Sequence, residues 1–67
     1  MNNDAVRTTL AHLVGTVYTT HTKATVTALT GRMRVVGPNE ISTMEFDPQR
    51  IHVQADDEGR ILGFVFA

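Results

Sequence analysis

The chain has no cysteine and no tryptophan, and only two of its 67 residues are proline. Without cysteine there are no disulfides, no thiolate metal ligands and no thiol chemistry. A domain of this size must then hold by packing alone, which suits a reducing compartment. Charge of one sign is also missing: six Lys plus Arg stand against seven Asp plus Glu, a net charge of -1. Such a balance supplies little field for nucleic acid or anionic lipid. The basic residues Arg7, Lys23, Arg32, Arg34, Arg50 and Arg60 are scattered and form no basic patch in sequence. No apolar run approaches the ~18 residues of a membrane span. Residues Met1 to Arg7 lack the apolar centre of a signal peptide. The expectation is a soluble chain with no nucleic-acid or membrane partner, cytoplasmic as it stands and secreted if this is a mature form.

A length of 67 residues allows one domain. A domain this small buries only about 60% of the surface its unfolded chain exposes and leaves little room for an enclosed catalytic pocket. Binding at the surface is favoured, and the chain is expected not to be an enzyme. The candidate sites for chemistry agree. His12, His21 and His52 are the only imidazoles, and no two are four residues apart, so zinc is not expected. Ser42, His52 and Asp47 make a Ser-His-Asp set on paper, but no nucleophile elbow surrounds Ser42. Asp56-Asp57-Glu58-Gly59 is too short for a calcium loop and reads as a turn. There is no Gly-rich phosphate loop either, so no cofactor and no metal is expected.

Residues 1–12 are polar and without obvious pattern, and a flexible start is expected there, with a single domain over residues 13–67. Thr16 to Thr30 contains seven of the ten threonines, and β-branching favours strand. Yet Val17, His21, Ala24 and Ala28 fall at i, i+4, i+7 and i+11, one face of a helix, while Ala24, Val26 and Ala28 also alternate. Thr16 fits a helix N-cap and Gly31 a helix C-terminal glycine. The residues leave both structures open. Beyond them, Arg32 to Val36 reads as a strand with Met33 and Val35 inward. Arg50 to Ala55 reads as a second strand with Ile51, Val53 and Ala55 inward, and Arg60 to Ala67 as a third, antiparallel to the second through the acidic turn.

Between the first two strands lies Gly37 to Gln49, several times longer than a hairpin turn and bounded by Pro38 and Pro48. Connections this long are uncommon in compact domains and tend to be functional or disordered. Ile41, Met44 and Phe46 make it more apolar than a solvated linker. It is either a stiff binding loop presented outward or a crossing with Ile41 or Phe46 packed on the sheet. If the loop arches over the following strand, Arg50 and His52 can donate to Glu45 and to loop carbonyls near Thr43. Otherwise they are the solvated face of an edge strand.

These residues carry a likeness. Val35-Val36-Gly37-Pro38, then Ser42-Thr43-Met44-Glu45-Phe46, then Asp47-Pro48-Gln49-Arg50-Ile51-His52-Val53 and the Asp-Glu-Gly turn resemble the potato inhibitor I family of serine protease inhibitors. The small bacterial and fungal elastase and subtilisin inhibitors are the branch most resembled. Leu13-Val14-Gly15 is similar to the tripeptide before that family's helix. The resemblance spans residues 13–67 and implies an α+β fold: one helix, from about Val17 to Leu29, packed on a small mixed β-sheet with a long exposed reactive-site loop.

It further implies a serine protease partner bound in a substrate-like manner. Met44 would enter the primary specificity pocket, with the Met44–Glu45 bond at the catalytic serine and its carbonyl near the oxyanion hole. Ile41, Ser42, Thr43, Phe46 and Asp47 would contact the protease, and Arg50 and His52 would support the loop. Methionine suits the apolar pockets of subtilisin, chymotrypsin and elastase types. His52 stands where plant members often carry a second supporting arginine. If it holds the loop as an imidazolium, inhibition should strengthen as pH falls through about 6.5. The alternative is a non-inhibitory interaction module on the same fold. It would use the loop or the C-terminal strand, Ile61 to Phe66, and be a monomer or self-associate by strand addition.

Overall fold

Asn2 starts the first element: its side-chain oxygen accepts from the Ala5 amide at 2.8 Å and caps helix α1, Asn3–Leu10. Val6 and Leu10, one helical turn apart, lie on one face and are fully buried. A 3-10 turn, Ala11–Leu13, carries the chain on, and Leu13 packs against the same core. The computed structural model describes residues Met1–Ala67. Its first twelve residues, expected to be a flexible start, thus contain a capped helix whose apolar side belongs to the core.

The threonine-rich stretch divides. Val17 forms an isolated antiparallel bridge with Arg60, and the Tyr18 amide donates to the Gly59 carbonyl at 2.7 Å. Helix α2 begins only at Thr22 and runs to Thr30, not from Val17. Thr16 is no N-cap; its hydroxyl donates to the Leu13 carbonyl at 2.6 Å. Within α2 the hydroxyls of Thr25 and Thr30 donate to the His21 and Val26 carbonyls one turn back, at 3.1 and 2.7 Å. That self-satisfaction is how threonine is accommodated in a helix. Gly31 closes it in the left-handed conformation, φ 74°.

Three strands follow: β1 Val35–Val36, β2 Ile51–Ala55 and β3 Ile61–Phe66. They form one sheet in the order β1-β2-β3, with β1 parallel and β3 antiparallel to β2. The first strand is shorter than expected, and Met33 is 82% exposed instead of inward. The first bond to β2 is the Ile51 amide to the Arg34 carbonyl, at 2.9 Å, so Arg32 and Met33 remain outside the ladder. In β2, Ile51 and Val53 are buried. In β3 the register shifts by one residue opposite Gln54 and Ala55, so Leu62 faces outward while Ile61 and Phe64 reach the core. The turn between β2 and β3 is built by Asp56. Its carboxylate accepts from the Glu58 and Arg60 amides, both at 2.9 Å, and Gly59 takes φ 81°.

The result is an α+β fold: two helices, where one was expected, packed on a three-stranded mixed sheet. The core is one cluster of Val6, Leu10, Val26, Ile51, Val53, Ile61 and Phe64. Parallel pairing of β1 with β2 places the end of one strand and the start of the next at opposite ends of the sheet, so a long return is obligatory. The chain from Gly37 to Gln49 is that return.

Candidate functional site

Both ends of the return are tied by proline turns. At the start the Glu40 amide donates to the Gly37 carbonyl at 3.2 Å across Pro38-Asn39. The Glu40 carboxylate pairs with Lys23 of α2, and that ammonium holds the carboxyl below its ordinary range. A Cβ at residue 37 would stand 2.5 Å from the Tyr18 hydroxyl oxygen, so any larger residue there must displace the Tyr18 side chain. At the far end Asp47 organises the turn through Pro48-Gln49: its carboxylate accepts from the Gln49 amide at 2.9 Å and its carbonyl from the Arg50 amide at 3.0 Å. Between the turns Ile41 and Met44 are fully exposed and Phe46 is 75% exposed. The loop is presented outward; neither Ile41 nor Phe46 packs on the sheet.

Arg50 lies beneath the loop, only 4% exposed. Its Nη1 donates to the Thr43 hydroxyl at 2.9 Å, and its Nη2 to the Glu45 carbonyl at 2.6 Å and the Thr43 carbonyl at 3.4 Å. Its Nε donates to the Ala67 carbonyl at 2.6 Å. A planar guanidinium with donors on three nitrogens can join loop and C-terminal strand in one network. The residues it grips stand on either side of Met44, whose side chain is left free.

A second arginine works from β1's side. Arg34 Nη1 donates to an Asp47 carboxylate oxygen at 2.7 Å, and its Nη2 to a Glu45 carboxylate oxygen at 3.0 Å. Arg34 keeps the Glu45 carboxyl below the usual carboxylate range, with the Thr43 hydroxyl adding to the effect. For Asp47 the larger cause is the Gln49 amide, with Arg34 next among the lowering influences. Arg34 was not anticipated as a site residue. Because Val35 pairs with Ile51 in parallel register, the residues just before them, Arg34 and Arg50, stand side by side at the same end of the sheet. The sign of strand pairing was the missing signal.

Arg32, 7% exposed, braces the loop's exit and was also missed. Its Nη1 donates to the Asn3 side-chain oxygen at 2.7 Å, and its Nη2 to the Met1 carbonyl at 3.0 Å. The Asn3 amide group in turn donates to the Pro48 carbonyl at 3.1 Å. The loop's last turn therefore leans on the start of α1. His52 behaves differently from Arg50: its Nε2 lies 2.8 Å from the Ala67 carbonyl and makes no hydrogen bond to the loop.

An exposed apolar apex on a loop held by one buried and one exposed arginine, without an enclosed pocket under it, defines a small binding scaffold. The chain belongs to the peptidase inhibitor I78 family, whose model matches residues 3–65. The match includes α1 as well as the loop and the sheet. Searches of curated proteins and of solved structures find no match. Membership of a peptidase inhibitor family makes a protease the implied partner and implies a non-enzymatic role.

Proposed function

We propose that the chain inhibits serine proteases of the subtilisin, chymotrypsin or elastase type by presenting Met44–Glu45 as a substrate-like bond. One observation carries this: Met44 is fully exposed while Thr43 and Glu45, on either side of it, are held by Arg50. A backbone already fixed before docking loses little entropy on binding. The likeness of Val35 to Ile61 to potato inhibitor I supports the same choice of bond. Ile41, Ser42, Thr43, Phe46 and Asp47 supply the flanking contacts.

The test is a titration of the chain against subtilisin, chymotrypsin and pancreatic elastase, with mass spectrometry of the recovered chain after long incubation. Stoichiometric inhibition with slow scission at Met44–Glu45 alone is expected. Rapid digestion at many bonds, or no effect on any of the three, rejects the proposal. Arg50→Ala should weaken inhibition roughly a hundredfold, since it removes charge-assisted bonds on both sides of Met44, each worth about 1.5–3 kcal/mol where desolvated. An inhibition constant within threefold of wild type would remove Arg50 from the mechanism.

A further inference from the structure

We propose that Arg34 is a second positioning residue of the loop, holding the segment after the Met44–Glu45 bond in place so that the bond, once cut, is resealed. The inference rests on the inhibitory role proposed above and deepens it. Arg50 spans the bond, touching Thr43 before it and Glu45 after it. Arg34 touches only the side after it, through the Glu45 and Asp47 carboxylates. The two cations occupy adjacent register positions on parallel strands, and their repulsion is offset by the two carboxylates lying over them.

Consider the chemistry of the cut. The protease serine oxygen bonds to the Met44 carbonyl carbon, the C–N bond to Glu45 breaks, and the Glu45 nitrogen takes the proton delivered by the protease histidine. An ester and a free amine result. Resealing reverses this: the amine attacks the ester carbon, expels the serine oxygen and returns a proton to it through the histidine. The reverse step competes with hydrolysis only while the Glu45 nitrogen stays in place. After the cut, Arg50 still holds the Glu45 carbonyl, but the Glu45 side chain and Asp47 are tied by Arg34. Lys23 and Glu40, the other charged pair of the loop, lie before the bond and do nothing for the released amine.

The clamp has an acid limit. Glu45 and Asp47 are held below their ordinary values of 4.5 and 3.8 by partners present only in the folded chain, so their contribution is fully present above those ordinary values and fades as pH falls through the lowered ones. The charged groups facing them are Arg34 and Arg50.

The experiment compares wild type, Arg34→Ala, Arg34→Lys and the Glu45→Gln/Asp47→Asn double variant, all as full chains. Against subtilisin at neutral pH, scission at Met44–Glu45 should rise roughly three- to tenfold in Arg34→Ala, the range expected for two exposed ion pairs. The equilibrium ratio of intact to cut chain should fall by a similar factor. Arg34→Lys should recover part of this, since one ammonium replaces a fork that reaches two carboxylates. Backbone nitrogen relaxation without protease supplies the second readout. Order at Glu45 to Asp47 should drop in Arg34→Ala at neutral pH and in wild type on acidification, with little further acid response in the double variant. Wild-type inhibition together with unchanged scission and unchanged loop order in Arg34→Ala overturns this inference alone. A wild-type chain that inhibits none of the three proteases overturns the inhibitory role and this inference with it.

Discussion

Met44→Asp should abolish inhibition, by roughly a thousandfold or more, and leave the stability of the free chain unchanged within about 0.5 kcal/mol. The two halves of that statement come from one fact, the complete exposure of the side chain. A residue that touches nothing in its own fold contributes nothing to hold it, so its removal costs the scaffold nothing. In the substrate-like docking proposed above, it is also the group that enters the protease's pocket. A methionine buried from water contributes about 1.5–3 kcal/mol. An aspartate there forfeits that gain and adds the cost of an unpaired carboxylate in an apolar pocket, several kcal/mol more. Inhibition constants with subtilisin and chymotrypsin, read beside denaturant midpoints, check both halves. A variant that inhibits as well as wild type would move the contact away from Met44. One that loses inhibition together with stability would mean that Met44 has an internal partner.

The second half of the chain was legible because its signals are local. Alternation located β2 and β3, a carboxylate followed by glycine located the turn between them, and Pro38 and Pro48 bracketed the loop. Thr43, Glu45 and Arg50 come together because the return passes over the residue just before β2, and Arg50 there reaches both. His52 fails the same argument: two residues further along, its ring meets the Ala67 carbonyl instead. Arg34 and Arg32 depend on non-local facts, the parallel register and the docking of the chain's start, and no window of sequence contains either. The threonine stretch was ambiguous for a physical reason. Its first residues make an isolated bridge, Val17 to Arg60, just before β3, and the later ones form α2, so strand and helix propensities were each right about a different part. For α1 the signal was present and overlooked. Asn2 as cap, Asp4 in the first turn, and Val6, Leu10 and Leu13 at helical spacing lie within a polar composition that hides them.

That overlooked helix carries the second large effect. Leu10→Ala should destabilise the chain by about 2–5 kcal/mol, the range for emptying a fully buried leucine site. Leu10 has no exposed surface and sits in a core of only seven buried apolar residues, so few neighbours are available to collapse into the space. A domain of this length has a total stability on the order of 3–10 kcal/mol, and the substitution therefore removes a large fraction of it. The loss should reach the loop, because α1 also carries Asn3, which bonds both Arg32 and the Pro48 carbonyl. Urea unfolding should show a single transition moved to a lower midpoint with an unchanged slope. Proteolysis at buried bonds outside the loop should quicken by the same equilibrium factor, since there opening precedes cutting. A midpoint shift worth under about 0.5 kcal/mol would mean that the first turns of the chain are detached in solution. The same seven-residue core would then be two residues smaller, and the brace on the loop's exit would be absent. A full-sized shift would make α1 an integral part of the inhibitor scaffold and tie the stability of the chain's start to the lifetime of its loop.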